Sequence, residues 1–193
     1  MHHPALSGID AHPTHPKPIV VGHWVTAALL LIVFSLVLSR EWLDDKTARV
    51  LLLQAHRAVG LLIGSMAILR LALRSRLPLA TPATPLATWQ LWMSRLTQAL
   101  MYGLLLSLPV LGWLLTNARG QPVSLPVLGS LPLLMERDLD LADTLELVHS
   151  WAAWGLLALI ALHGAAAVWH HHIRRDGVLA AMLPGLRPKS LTA

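Results

Sequence analysis

The chain has 193 residues, of which 55% are apolar and only 13% are charged, a balance that excludes an ordinary water-soluble domain and predicts an integral membrane protein. It contains no cysteine, so disulfides, iron-sulfur clusters and thioether-linked haem are excluded. The formal net charge of +5 lies in short connections and the tail, with no basic face interleaved with aromatic residues, so we expect no nucleic-acid partner.

Residues 1–17 form a lead rich in histidine and proline, which we expect to be disordered and not a signal peptide, because it has no apolar core with a cleavage site. Four apolar runs follow, each long enough to cross a bilayer. The segment 117–143 is broken by glycine and proline and is predicted to be a loop. The runs, and so the predicted transmembrane helices, cover residues 19–39, 50–73, 96–116 and 144–169.

The sequence therefore predicts an all-α, integral membrane four-helix bundle over residues 18–175, followed by a tail at 176–193. Lysine and arginine counts set its expected orientation. The connection from residue 74 to residue 95 carries three arginines and no acid, and the tail is also basic. The segment before the fourth run is net acidic. We expect a multi-pass protein of the bacterial inner membrane, surrounded by lipid, with both termini in the cytoplasm.

Four histidines, His23, His56, His149 and His163, lie inside the apolar runs or near their ends, where an imidazole is costly unless something binds it. His149 and His163 are fourteen residues apart, which returns both to nearly the same helix face at a separation of about 21 Å. The expected topology sorts the four by depth into two pairs, His23 with His163 and His56 with His149. Each pair can ligate one iron, so the pattern predicts two b-type haems stacked across the bundle.

Two arginines, Arg70 and Arg74, lie one turn apart at the cytoplasmic end of the second run. They either pair with haem propionates or anchor the topology by snorkelling, and Arg57 has the same two interpretations at the other face. Small residues near the histidines either leave room for flat macrocycles or serve ordinary helix packing. These residues are Gly60, Gly64, Gly155 and Gly164.

Two other interpretations of the histidines need weighing. A zinc site is disfavoured, because neither pair has a third ligand at a suitable spacing. A haem-free module that relays protons stays open, although these helices offer hardly any buried acid.

Short motifs mark the ends of the four runs. They are Gly22-His23-Trp24, residues 55–60 and 69–74 in the second run, residues 108–112 and 117–120 in and after the third, and residues 148–150, 162–166 and 170–171 in and after the fourth. Together they resemble the bacterial cytochrome b561 family of four-helix dihaem membrane proteins, from about residue 18 to residue 184. The resemblance implies the same pairing of haem ligands that the depth argument gives.

The resemblance also implies electron transfer between a periplasmic one-electron donor and a membrane quinone. In the superoxide oxidases of the family, electrons pass from superoxide to ubiquinone, and a histidine beyond the last haem ligand helps to form the quinone site. That position is His170 here, with Trp169 and His171 nearby; an interfacial basic patch is the alternative. Arg95 and Gln98 occupy positions that are histidines in a superoxide oxidase, which leaves the substrate open.

The expected activity is that of a superoxide:ubiquinone oxidoreductase without an obligate protein partner. Bis-histidine ligation leaves no open iron position, which favours outer-sphere electron transfer. Arg49 and Arg57 are candidates for steering superoxide to the periplasmic haem. The alternative function is a membrane-anchor cytochrome b subunit, which passes electrons between quinone and a periplasmic dehydrogenase or hydrogenase.

Overall fold

The computed structural model describes residues 14–80, 87–125 and 129–183. Its four long helices are α1 (Lys17–Arg40), α2 (Lys46–Arg76), α3 (Thr88–Ala118) and α4 (Leu139–Trp169), and a π-helical turn, His170–Arg174, continues α4. All four are long and apolar enough to cross a membrane. The predicted four-helix membrane bundle is confirmed. Residues 1–13, which hold most of the predicted lead, and residues 184–193 of the tail lie outside the described residues.

Each helix is longer than the apolar run that predicted it, because polar caps extend the ends beyond the lipid-facing part. The Asp45 carboxylate accepts hydrogen bonds from the first backbone N–H groups of α2. Asp138 caps α4 in the same way, through the N–H of Leu141 at 3.0 Å, so α4 begins five residues before the predicted start. α3 also begins earlier, at Thr88. It continues through Pro109, whose ring packs on α2.

The segment between α3 and α4 is not a plain loop. It contains a short antiparallel hairpin, β1 (Ser124–Leu125) with β2 (Gly129–Ser130). Asn117 is fully buried and holds this region: its amide donates to the Gln121 carbonyl at 3.0 Å and accepts from the Leu134 N–H at 2.9 Å. A buried amide with both ends satisfied fixes the chain reversal after α3.

Neighbouring helices in sequence pack on each other, α1 on α2, α2 on α3 and α3 on α4. The relation of α4 to the first two helices is different. No described Cα of α4 lies within 8 Å of a Cα of α1 or α2. Packed helices usually have axes about 8–10 Å apart and touch along their length. The bundle therefore contains a wide slot between α4 and the α1–α2 pair.

A layer of buried apolar side chains crosses the middle of the bundle. Leu156, halfway along α4 between His149 and His163, is almost completely buried in it. The other fully buried members are Val33, Ile63, Ala67 and Leu105. This layer separates two ends of the molecule. The hairpin end carries the hairpin and the α1–α2 connection, and the terminal end carries residues 14–16 and 175–183.

Candidate functional site

The first predicted histidine pair lies at the hairpin end. The rings of His56 on α2 and His149 on α4 face each other with centroids 6.3 Å apart. The Nδ1–H of His56 donates to the Val33 carbonyl at 3.2 Å, which orients the ring and leaves Nε2 as the free nitrogen. Nδ1 of His149 is buried and finds no hydrogen-bond partner among the described residues.

The second pair lies at the terminal end. His23 on α1 and His163 on α4 have ring centroids 6.2 Å apart. The Arg70 guanidinium donates to Nδ1 of His23 at 3.3 Å. The aliphatic stem of Arg70 runs against Gly22, where an added Cβ would lie 3.2 Å from Arg70 Cγ. The sequence therefore places a glycine where the arginine has to pass.

Both pairs have the separation that a bis-imidazole iron needs. A metal held about 2 Å from each ring nitrogen separates the two ring centroids by about 6 Å. Each pair also crosses the slot between α4 and the α1–α2 pair, where the helices lie too far apart for their Cα atoms to come within 8 Å. The described residues contain no group of three or more possible ligands that could hold a metal ion of another kind. The residues present fit two haems.

A cavity of about 370 Å³ opens beside His56 and His149. Its size is within the usual range of small-molecule sites. Most of the lining is apolar, from Val33 and Phe34 on α1 to Leu156 on α4. Its charged lining residues are Arg40, Glu41, Arg57, Arg119 and Glu146.

The arginines of this cavity differ in how they are held. Arg57 donates to the Gln121 side chain at 3.2 Å, and Arg119 forms an ion pair with Glu146. Nε of Arg40 is buried and unpartnered within the described part of the chain. Arg49, which the sequence suggested beside Arg57, is not a lining residue of the cavity.

The four glycines proposed to make room for macrocycles separate into two groups. Gly60 lines the cavity, and a Cβ added there would meet nothing within 4 Å. A Cβ added at Gly155 or Gly164 would also meet nothing within 4 Å, but these two glycines do not line the cavity. Gly64 is different, because an added Cβ would lie 3.0 Å from Cγ of Pro109. Gly64 thus serves close packing of α2 on α3.

The two arginines predicted for propionates also differ. Arg70 lies between His23 and the ring of Tyr102, with its Cζ 5.7 Å from the ring centroid. Arg74 donates to the Gln98 side chain at 2.8 Å. Arg70 is placed at the second histidine pair, and Arg74 is bound to α3.

The predicted quinone residues lie where α4 ends. The rings of Trp169 and His170 meet edge to face, 5.1 Å apart. His171 stacks in the same manner on His172, which is exposed, and not on His170. The Nδ1–H of His170 donates to the Asp176 carboxylate at 2.5 Å.

Asp176, which contacts His170, is a residue of this site that the sequence did not predict. Its side chain is only 1% exposed. The sequence offered one signal, a single acid inside a basic tail. Helical periodicity could not place it, because the chain reverses at Arg175, a non-glycine residue with φ of 53°.

Residues 14–16 and 175–183 cover the terminal end. The indole N–H of Trp24 donates to the Met182 carbonyl at 2.9 Å, and the backbone N–H of His15 donates to the Ala181 carbonyl. Nδ1 of His15 accepts from the N–H of Ala80 at 3.2 Å. Burial lowers the pKa of His15 below its ordinary value of 6.5, and the positive charge of Arg74 lowers it further.

Comparison with known proteins identifies relatives of this chain. It matches the family model described as prokaryotic cytochrome b561 over residues 14–185. Cytochrome b561 homolog 1 of Escherichia coli (strain K12) is 27% identical over 164 residues, which are 84% of this chain and 92% of the relative. Cytochrome b561 homolog 2 of the same organism is 26% identical over 170 residues, 83% of this chain and 86% of the relative. A Yersinia pestis protein named probable superoxide oxidase CybB is 24% identical over 166 residues, 86% and 93% of the two chains.

Proposed function

Since this chain belongs to the prokaryotic cytochrome b561 family, we propose that it passes electrons from superoxide to membrane ubiquinone through two haem b groups. Family membership supports the general part of this function, that the protein is a b-type membrane cytochrome that takes part in electron transfer. The number of haems, the donor and the acceptor are the parts that we add.

One observation supports the haem count above all others. In each of two histidine pairs, the two rings face each other across the same slot, with centroids 6.3 Å and 6.2 Å apart. The two pairs lie at opposite ends of α4. His56 and His149 would hold one haem, and His23 and His163 the other. When bound, each haem supplies a one-electron station whose two imidazoles leave no coordination position for oxygen.

The protein's own residues would hold the propionates. With Nε2 holding an iron, neutral His23 would carry its proton on Nδ1 and could not accept from Arg70. The guanidinium would then be free to pair with a propionate carboxylate at the same end. At the hairpin end, the buried Nε of Arg40 is a donor of the same kind.

The hairpin end suits a small anionic donor. Three arginines and two glutamates line its cavity, and a positive excess in an apolar cleft raises the local concentration of an anion. Arg57 and Arg119 reach the cavity from different elements, α2 and the end of α3. The probable superoxide oxidase among the relatives supports superoxide as the donor.

The terminal end suits the quinone. His170 lies beside Trp169 and has one ring nitrogen held by Asp176. With His171 nearby, these residues would form the quinone site. The basic connection and tail favour the cytoplasmic side for this end, with the hairpin end in the periplasm of the inner membrane. The bundle proper would then be residues 18–175.

A dithionite-reduced minus oxidised spectrum of the detergent-purified protein, with haem counted against polypeptide, tests the haem part. We expect two b-type haems per chain; a colourless protein after expression with ample haem would refute the proposal and favour a haem-free proton relay. Superoxide-driven reduction of decyl-ubiquinone then tests the donor and acceptor. A dehydrogenase or hydrogenase subunit that copurifies, together with no reaction with superoxide, would favour the membrane-anchor alternative.

A further inference from the structure

Asp176 is a buried carboxylate in a membrane protein that has few acids. Its Oδ2 atom lies 2.5 Å from Nδ1 of His170 and 3.4 Å from Nε of Arg174, and its Oδ1 accepts from the N–H of Val178 at 3.3 Å. Burying a charge is costly unless it is paired and hydrogen-bonded, and here both conditions are met. The arrangement is therefore a built one.

The chain makes a special turn to bring the two groups together. The π-helical turn after α4 widens the helix at His170, and Arg175 in the left-handed region reverses the chain. Asp176 thereby returns to the histidine six residues before it. π-helical turns and left-handed non-glycine residues cost free energy and are often found at functional sites.

The pair also has a fixed electrostatic surrounding. Arg174 is the other charged group in contact with it among the described residues. The Arg174 guanidinium donates to the Gln90 side chain at 3.0 Å, which ties the turn to the start of α3, and it lies over the Trp169 ring. The residue of α3 that contacts Arg174 is thus neutral, and the described part of the tail after Asp176 contributes the backbone N–H of Val178.

We propose that Asp176 is a positioning residue for proton transfer to quinone, an inference that rests on the proposed quinone site at His170. The carboxylate holds the Nδ1–H of His170, so that Nε2, on the opposite edge of the imidazole, faces the substrate. In this orientation His170 can act as a general acid that donates a proton from Nε2 to a quinone oxygen.

Reduction of the quinone takes two electrons, which a haem held by His23 and His163 would supply, and two protons. The N–H bond at Nε2 of His170 breaks as an O–H bond forms on one quinone oxygen. Water then reprotonates the ring, whose positive charge Asp176 compensates, and the second quinone oxygen takes its proton from water or from the recharged histidine.

A purely structural role for Asp176, as a cap that holds the tail, is the alternative. That role predicts lost stability with an unchanged rate and pH profile of quinone reduction in the folded fraction. The positioning role predicts a slower rate and a changed pH profile of quinone reduction in the folded fraction. The two are separated by a pH profile and by coupling between Asp176 and His170.

The experiment follows haem reoxidation by stopped flow, after the haem-loaded full-length protein has been reduced with dithionite and mixed with decyl-ubiquinone over a range of pH. The variants are Asp176→Asn, His170→Gln and the double variant. Asp143→Asn is the matched control, because Asp143 is exposed on α4 at the hairpin end. Haem content and the reduced spectrum verify that each variant is loaded.

We expect Asp176→Asn and His170→Gln each to slow reoxidation by about 10²-fold at neutral pH, with a flattened pH profile, and the double variant to be no slower than either single one. The control should match the wild type. Wild-type rates and pH dependence in Asp176→Asn would overturn the inference while leaving the quinone site standing. If Asp176→Asn does not fold, an unchanged pH profile in His170→Gln overturns it instead. A wild-type protein that quinone does not reoxidise refutes the proposed function and this inference together.

Discussion

The hairpin end and the terminal end carry the same pair of facing imidazoles but are finished in opposite ways. At the hairpin end, His56 and His149 lie beside a cavity of about 370 Å³ whose mostly apolar lining includes five charged residues. At the terminal end, residues 14–16 and 175–183 pack over the bundle, with Trp24 hydrogen-bonded to the tail. One end has an open cavity beside its histidine pair, and at the other end residues from both sides of the bundle pack together.

In the proposed function, this difference serves two kinds of electron exchange on one scaffold. A soluble one-electron donor needs no protons but needs access and attraction, which a cavity with arginines provides. A quinone needs protons at a water-poor place, which a buried acid and a histidine provide. Leu156 and its neighbours keep the two environments apart, halfway between the pairs.

The largest expected effect comes from removing one histidine from each end. His56→Leu should reduce the haem content from two per chain to one, and His23→Leu should do the same. The two variants should lose different haems, because a single imidazole with an apolar partner cannot hold the bis-histidine site. The haem-to-protein ratio measures the haem content, and a redox titration identifies which haem remains in each variant.

His172→Leu provides the control for these variants, since His172 is exposed and belongs to neither pair. It should keep two haems. Two haems retained in His56→Leu, or the same midpoint potential remaining in both ligand variants, would contradict the assignment of one haem to each end.

The second prediction concerns packing near the middle of α2. Gly64→Ala should lower stability by about 1–3 kcal/mol relative to Gly103→Ala, because its methyl group meets the stiff Pro109 ring at 3.0 Å while Gly103, on α3, is exposed and faces open space. The gain in helix propensity is common to both variants and cancels in the comparison. Thermal unfolding in detergent measures the difference. Equal melting temperatures would mean that α2 and α3 separate easily at this point.

The third prediction concerns the charge beside His23. Arg70→Gln should lower the midpoint potential of the terminal-end haem and leave the other unchanged. Removing a nearby positive charge costs the reduced form about 1 kcal/mol, which for one electron is on the order of 50 mV. Arg74→Gln is a useful comparison, because Arg74 donates to Gln98, whereas Arg70 donates to His23. A larger shift in Arg74→Gln than in Arg70→Gln would reverse the proposed roles.

The sequence predicted the four helices and the pairing of the histidines, because both follow from long apolar runs and from the fixed rise of a helix. It placed the helix ends wrongly by up to eight residues, since caps such as Asp138 lie outside the apolar signal. It did not separate Gly60 from Gly64, which depends on where Pro109 of another helix lies. The sequence did not indicate the contact between Asp176 and His170, because the left-handed turn at Arg175 has no periodic pattern in the sequence.

The smallest effect should come from His15, which closes the terminal end. Its lowered pKa means that the neutral ring, which accepts from the Ala80 N–H, is favoured in the folded protein. This contribution is fully present above pH 6.5 and is lost as the pH falls through the lower folded-state value, because a protonated ring cannot accept and is repelled by Arg74. We expect the effect to be below about 1 kcal/mol, since the ring is only half-buried. Hydrogen exchange at Ala80, corrected for intrinsic rates on both sides of pH 6.5, should show weaker protection in acid, whereas His15→Gln, which accepts at any pH, should show none of this dependence.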